Sequence, residues 1–345
     1  MTRIASGICL ILAAVGFLLL ADNNIDACAM VRSGLYNVPV EIAAESAIII
    51  WDEANKTEHF IRRSSYKTEA KDFGFLVPTP SRPELAEAKD AAFRQLEQLT
   101  AAPIIYPPGQ ARNTPVKDAN KVEVLEIKRV AGFDAAVLKA NDAGALNDWL
   151  KANNYQSSPE LAGWVEPYVK SGWIITAFKI ASDAPKTKGI NTSAVRMSFK
   201  TERPFYPYRE PADQRPAAEA GKEPVKVPNR LLRVYVLAKQ RMQANLGDKD
   251  WPGKTVWANL VHLDNCKTLA KHLQLKDWQP TGSWWLTELE DRSSPRPGTD
   301  ELFFAASKDQ SAVTRPPMIG GLHSSSPDDL QNLQPDEKPV PPNRR

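Results

Sequence analysis

The chain is predicted to fold as an α+β protein, a mixed or mostly antiparallel sheet with several short helices packed on it. Three observations lead there. Runs rich in branched and aromatic side chains recur at 38–51, 57–66, 72–77, 173–180, 194–200, 231–238, 254–263 and 283–289, most of them set off by turn residues. Between them lie apolar stripes at helical spacing, clearest at Leu146, Trp149 and Leu150 and again at Leu161, Trp164, Val165 and Tyr168. These two helices feed directly into two strand patterns, and a helix with one apolar face needs a sheet to cover. With 345 residues, 42% hydrophobic and 25% charged, the chain is long enough to bury about three quarters of its unfolded surface.

Arg3 precedes an uncharged apolar run from Ile4 to Ala21 and then the polar Asp22 to Asp26, which is the layout of an export signal. Residues 1–29 are therefore read as a signal peptide. Ala27-Cys28-Ala29 matches the small-x-small rule for cleavage after Ala29; cleavage after Ala27 would keep Cys28 but puts bulky Ile25 at the minus-three place. Left uncleaved, the run is just long enough to span a bilayer, and membrane association is expected through it alone. The expected location is extracytoplasmic, periplasmic or secreted. Residues 30–305 form a single domain on this reading, and 306–345, rich in Pro, Ser, Asp and Gln, a disordered tail. A formal charge of +3, scattered along the chain, points to neither nucleic acid nor an anionic membrane as partner.

In order, 38–43 and 47–51 read as short apolar strands, 52–56 as a turn, and 57–66 as a strand with charges interleaved, making a hairpin with one wet face. The strand 72–77 is stopped by Pro78 and Pro80. Ser81 and Glu84 have capping-box spacing, and Leu85, Ala88, Ala92, Leu96 and Leu99 share one helical face, so a helix is expected over 83–99. Residues 103–120 read as a surface excursion, and 121–130 with 133–138 as a hairpin. Asn141 and Asp142 cap a helix over 142–153. Ser158 and Pro159 supply the N-cap and first position of the next, which bends at Pro167 and ends at Ser171-Gly172. A proline- and charge-rich loop spans 208–229, and 266–275 is a short helix between the last strands.

Four stretches together resemble an exported bacterial family known as domain-of-unknown-function family 2330. They are AIIIWDEANKTEHFIRRSSY from Ala47, DFGFLVPTPSRPEL from Asp72, the region from Gly144 to Pro211, and SSPRPGTDELFF from Ser293 to Phe304. The resemblance implies an export signal and a cysteine near the mature start, which favours keeping Cys28, and it implies no activity.

Signatures of catalysis are missing: the chain has no GxSxG, HExxH, phosphate loop or paired CxxC. Ser64 and Lys67 have serine–lysine spacing, yet in a strand context where lysine does not face serine. His262, Asp264 and Cys266 would share one strand face at period two and make a partial zinc ligand set, while Asp264 and Asn265 also read as the cap of the following helix. His59 reads as a strand histidine facing solvent or a carboxylate, with catalysis as the alternative. Phe205, Tyr206 and Tyr208, crowded between prolines beside Arg203 and Arg209, are the candidate ligand-binding aromatics, of the kind that stack on sugar rings. With Cys9 inside the signal, Cys28 and Cys266 can pair in an oxidising compartment, for at most about 5 kcal/mol, or remain separate thiols. The function expected is a non-enzymatic extracytoplasmic binding or envelope-associated module with a cell-envelope or glycan ligand and no cofactor. The alternative is a hydrolase with an unrecognised, metal-dependent site.

Overall fold

The computed structural model describes residues 30–32, 40–68, 73–105, 129–131, 133–140, 142–153, 155, 158–180, 189–191, 194–212, 230–293 and 296–319. Residues 1–29, expected to be a signal peptide and including Cys28, lie outside them, as do most of the predicted strand 121–130 and residues 320–345.

After β1 (Met30–Arg32), the first half is built on the hairpin of β2 (Val40–Asp52) and β3 (Thr57–Thr68). The two apolar runs expected before the turn are one strand, continuous through a bulge between Ile42 and Ala44. Asp52 closes the turn, accepting from the Asn55 backbone N–H at 3.3 Å and its side-chain amide at 2.8 Å. Then come β4 (Phe73–Thr79), β5 (Glu84–Ala88), α1 (Ala91–Thr100), β6 (Ile104–Ile105), β7 (Arg129–Val130) and β8 (Phe133–Leu138). The helix expected over 83–99 is thus half strand. Leu85 and Ala88, three apart, fit a helical face, but they also fit a ladder, pairing with Met197 and Ala194 of a neighbouring strand. Completing that sheet decided the contest, because a strand places Leu85 and Ala88 on opposite faces where each meets a different core.

The next stretch follows expectation closely. In α2 (Ala143–Ala152) the Asp142 side chain accepts from Ala145 N at 2.7 Å, and in α3 (Pro159–Lys170) Ser158 accepts from Leu161 N at 3.0 Å. β9 (Ile174–Ile180), β10 (Gly189–Asn191), β11 (Ala194–Lys200), β12 (Phe205–Tyr206), β13 (Leu231–Ala238), β14 (Met242–Leu246), β15 (Lys249–Asp250) and β16 (Lys254–Val261) follow. The chain then runs through α4 (Leu263–His272), β17 (Trp284–Asp291), β18 (Leu302–Ala306) and β19 (Met318–Ile319).

The large sheet runs β16-β17-β13-β2-β3-β11-β5, with β10 also on β3, and is antiparallel except where β13 lies parallel to β2. One face, carrying Ile48, Ile50, Ile61, Tyr235 and Leu237, is covered by α1 and α4 through Phe93, Leu96, Cys266 and Leu269. The other face, carrying Ile49, Phe60, Val234 and Val236, meets two smaller sheets, β1-β4-β9-β8-β7 and β12-β18-β14-β15. Phe75, Phe133 and Phe178 interlock there with centroids 4.8–6.0 Å apart. The far side of the first small sheet is covered by α2 and α3 through Leu146, Leu150, Leu161 and Trp164. Helices, large sheet, small sheets and helices thus form successive layers of one α+β body. Among the described residues no helix is long and apolar enough to cross a membrane.

The boundary expected at 305 is corrected. Residues 307–319 are tied to the body: Arg241 holds Asp309 at 2.9 Å and the Ser311 carbonyl at 2.8 Å, and Val313 bridges Ala258. Arg315 then clamps Glu288 with two bonds of 2.9 and 2.8 Å, and β19 pairs with β6. Low apolar content hid this because the anchors are charges and backbone groups.

Candidate functional site

Where β2, β13, β14 and β18 reach the same end of the molecule, the sheets leave an open groove of about 180 Å³. Trp51, Met242, Phe304, Pro204 and Ala238 give it apolar walls, and Glu53, Lys56, Glu202 and Arg203 charge its rim. Among the described residues none of these four charges is held in an ion pair. Lys56 lies 5.9 Å from the Trp51 ring centroid and Arg203 stacks on Phe303 at 3.4 Å, so both cations are placed by aromatic faces and keep their donors available. Lys239 lines the groove with its stem, but its ammonium leaves on the other side to sit 4.2 Å over Trp284 and donate to the Thr281 carbonyl.

Directly behind this groove, Glu58 pairs across the ladder with Trp51 and is fully buried. Its Oε2 accepts from Phe205 N at 3.0 Å, Oε1 has no partner, and burial pushes its pKa well above the usual carboxylate range. Toward the other end of the same strands the sheets enclose a charged network. Arg62 pairs with Glu45, Arg230 with Glu210, and Arg296 Nε lies 3.5 Å from Asp291 Oδ2, all at side-chain exposures of 6% or less. Burial alone would raise the Glu45 pKa, but Arg62, Arg296 and Arg230 hold it below normal; at Glu210 burial wins over Arg230 and the pKa rises. Glu301 joins three layers: it accepts from Tyr168 Oη on α3, from Tyr208 N at 2.8 Å and from Arg209 N at 3.4 Å. Burial raises its pKa as well. Such a network is costly to break, since removing one partner strands a buried charge.

The aromatics Phe205, Tyr206 and Tyr208 are corrected from an exposed ligand surface to core. They are 1%, 0% and 0% exposed. The prolines around them turn the segment inward between the sheets, where Tyr208 Oη donates to Asp291 at 2.7 Å and Phe205 packs on Trp173 and Phe199. The metal triad is corrected too. Strand β16 ends at Val261 and α4 begins at Leu263, so the period of two is lost; His262 and Asp264 sit in solvent 3.5 Å apart while Cys266 turns into the core at 1% exposure. Among the described residues no group of three metal-binding side chains converges. Among the described residues Cys266 is a free thiol, pushed up to about 11 by burial; Cys28, its partner if the two pair rather than remain separate thiols, lies outside them.

His59 is buried rather than wet, with Nδ1 2.9 Å from Ser198 Oγ across the β3–β11 ladder. Arg196 Nη1 donates to the same oxygen at 3.0 Å, so the hydroxyl gives its own proton to Nδ1. The contact has the form of a nucleophile and its base. Yet burial and the neighbouring Arg196 cation hold the imidazole down to about 4, so at neutral pH it does not retain a proton taken from serine. Ser64 is buried on β3, as a strand position and not a helix start.

Sequence reasoning missed the buried carboxylates and arginines, and it missed the groove. A signal for the first existed: Glu58, Phe60 and Arg62 alternate on one strand face with Phe60 plainly core, so Glu58 and Arg62 had to share its burial. The stretches that carried the family resemblance meet in this interior, Glu58 with Phe205 and Tyr208 with Glu301. A family model described as an uncharacterized protein conserved in bacteria, DUF2330, matches residues 25–301. The chain belongs to this family. No curated protein matches it. Among solved structures, that of baculovirus P35 aligns over 84% of this DUF2330 chain and 100% of its own length, at 7% identity and a TM-score of 0.35.

Proposed function

We propose that this chain is an exported, non-enzymatic binding module of the cell envelope, holding a small ligand in the groove between Trp51 and Phe304. The observation that carries the reading is a separation in space. The groups Glu58, His59, Glu210 and Glu301, whose acidity is displaced, are closed into the interior and engaged in structural hydrogen bonds, whereas the open cavity is rimmed by charges that form no ion pair among the described residues. A site with open donors and acceptors over an apolar floor is built to hold a ligand. Export is supported by the uncharged run from Ile4 to Ala21 after Arg3.

The test is a ligand screen read by NMR, with Arg203→Ala and Trp51→Leu as controls. Ligands should shift groove resonances in a saturable way and lose affinity in both variants. Turnover of a cell-wall or peptide substrate, abolished by a groove variant or by Ser198→Ala, would overturn the reading in favour of a hydrolase. The intact mass of the protein from its native host reports export: a chain starting at Cys28 or Met30 supports it, and one retaining Met1 opposes it.

A further inference from the structure

The groove contains an unfinished sheet edge. In β18 the N–H of Phe304 reaches the Pro204 carbonyl at 2.9 Å, while that of Ser307 reaches Arg241 on the opposite side at 2.8 Å. Backbone groups alternate along a strand, so Ala306, two residues after Phe304, directs its N–H and C=O to the side of β12. There β12 has already ended. Pro204 has no N–H to continue the ladder, and the chain bends away through Glu202 and Arg203. The Ala306 backbone groups have no partner among the described residues, and Ala306 is exposed and lines the groove. Beside this edge stand two cations, Lys56 and Arg203, and two carboxylates, Glu53 and Glu202.

We infer that the groove binds a short peptide with free ends, laid as an extended strand against Ala306. This rests on the reading of the groove as a binding site and names its ligand class. One backbone unit of the peptide exchanges two hydrogen bonds with Ala306, replacing the missing continuation of β12. The balanced rim fits a zwitterion: the terminal carboxylate takes Lys56 and Arg203, whose fork suits a carboxylate, and the terminal ammonium takes Glu53 or Glu202. A cavity of about 180 Å³ holds roughly two small residues, being somewhat larger than the ~150 Å³ that accepts a benzene. Trp51 and Met242 receive small apolar side chains from one face of the peptide.

The test uses the full mature chain, uniformly labelled with 15N, titrated with dialanine, with N-acetyl-dialanine amide and with N-acetylglucosamine. Dialanine should move the Ala306 amide downfield in a saturable manner, and the blocked peptide should bind at least about tenfold more weakly. Ala306→Pro removes an N–H that no other described residue uses, so it should abolish dialanine binding with the melting temperature unchanged. If the blocked peptide binds as well as dialanine, or if Ala306→Pro binds normally, the inference is wrong. Were N-acetylglucosamine to move the Trp51 indole and Arg203 signals while Ala306 stays still, the peptide would be the wrong class although the groove remains a binding site. No response of the groove to any of the probes would overturn the inference, while the wider ligand screen still decides the groove reading.

Discussion

Replacing Glu58 with glutamine isolates one buried carboxyl. Glu58 is 0% exposed, takes the Phe205 N–H at 3.0 Å, and has its pKa raised by burial well above 4.5. A carboxyl whose folded pKa lies above its unfolded value contributes stability that is complete below the unfolded value and is lost as pH rises through the folded one. In that window the folded state holds a proton that the unfolded state has given up. Each pH unit therefore removes about 1.4 kcal/mol. Glutamine has the shape of the protonated acid, its carbonyl accepts the same Phe205 N–H, and it does not titrate. The variant should match the wild type near pH 4.5 and gain on it by about 1.4 kcal/mol per pH unit above that, until the folded pKa is passed. Urea unfolding at intervals between pH 4.5 and 8 measures the difference, and the other raised carboxyls, Glu210 and Glu301, cancel from it. Two parallel stability curves would refute the claim that Glu58 is neutral in the fold.

Further outcomes follow from the same interior. Glu301→Ala strands the Tyr168 hydroxyl and the Tyr208 N–H, and should cost about 3–5 kcal/mol in urea unfolding; a loss below about 1 kcal/mol would contradict its joining role. Arg315→Ala removes the clamp on Glu288, which keeps Arg233 at 3.1 Å; about 1–3 kcal/mol should be lost, and hydrogen exchange at Val313 and Met318 should speed up. Unchanged exchange there would mean that backbone pairing alone docks 307–319. Cys266, 1% exposed and raised to about 11, should resist iodoacetamide at pH 8 until the chain is unfolded, and His262→Ala should leave bound zinc unchanged. Rapid native labelling would place the thiol outside the core.

Local chemistry was legible wherever it decides alone. Asp142, Ser158 and Pro159 start their helices as their side chains dictate, and β11 and β13 lie where branched residues run between turn signals. The errors occur where two local solutions were equally good. Leu85 and Ala88 suit a helix face and a strand ladder alike, and the neighbour β11, more than a hundred residues away in sequence, made the choice. His262, Asp264 and Cys266 line up if the strand continues, but the helix turns each successive side chain by about 100° and sends Cys266 inward.

The order of residues was enough to establish an α+β chain, its capped helices and its bacterial family, because propensity, periodicity and motif order are properties of the chain read in line. Burial is not such a property. Whether Tyr208 meets a sugar or Asp291, whether Glu58 is wet or sealed behind Trp51, and whether Ala306 is paired or open depend on which layer closes over each strand. Those outcomes came from the packing of the sheets, where a charge or a backbone group is satisfied by whatever segment the fold brings across from it.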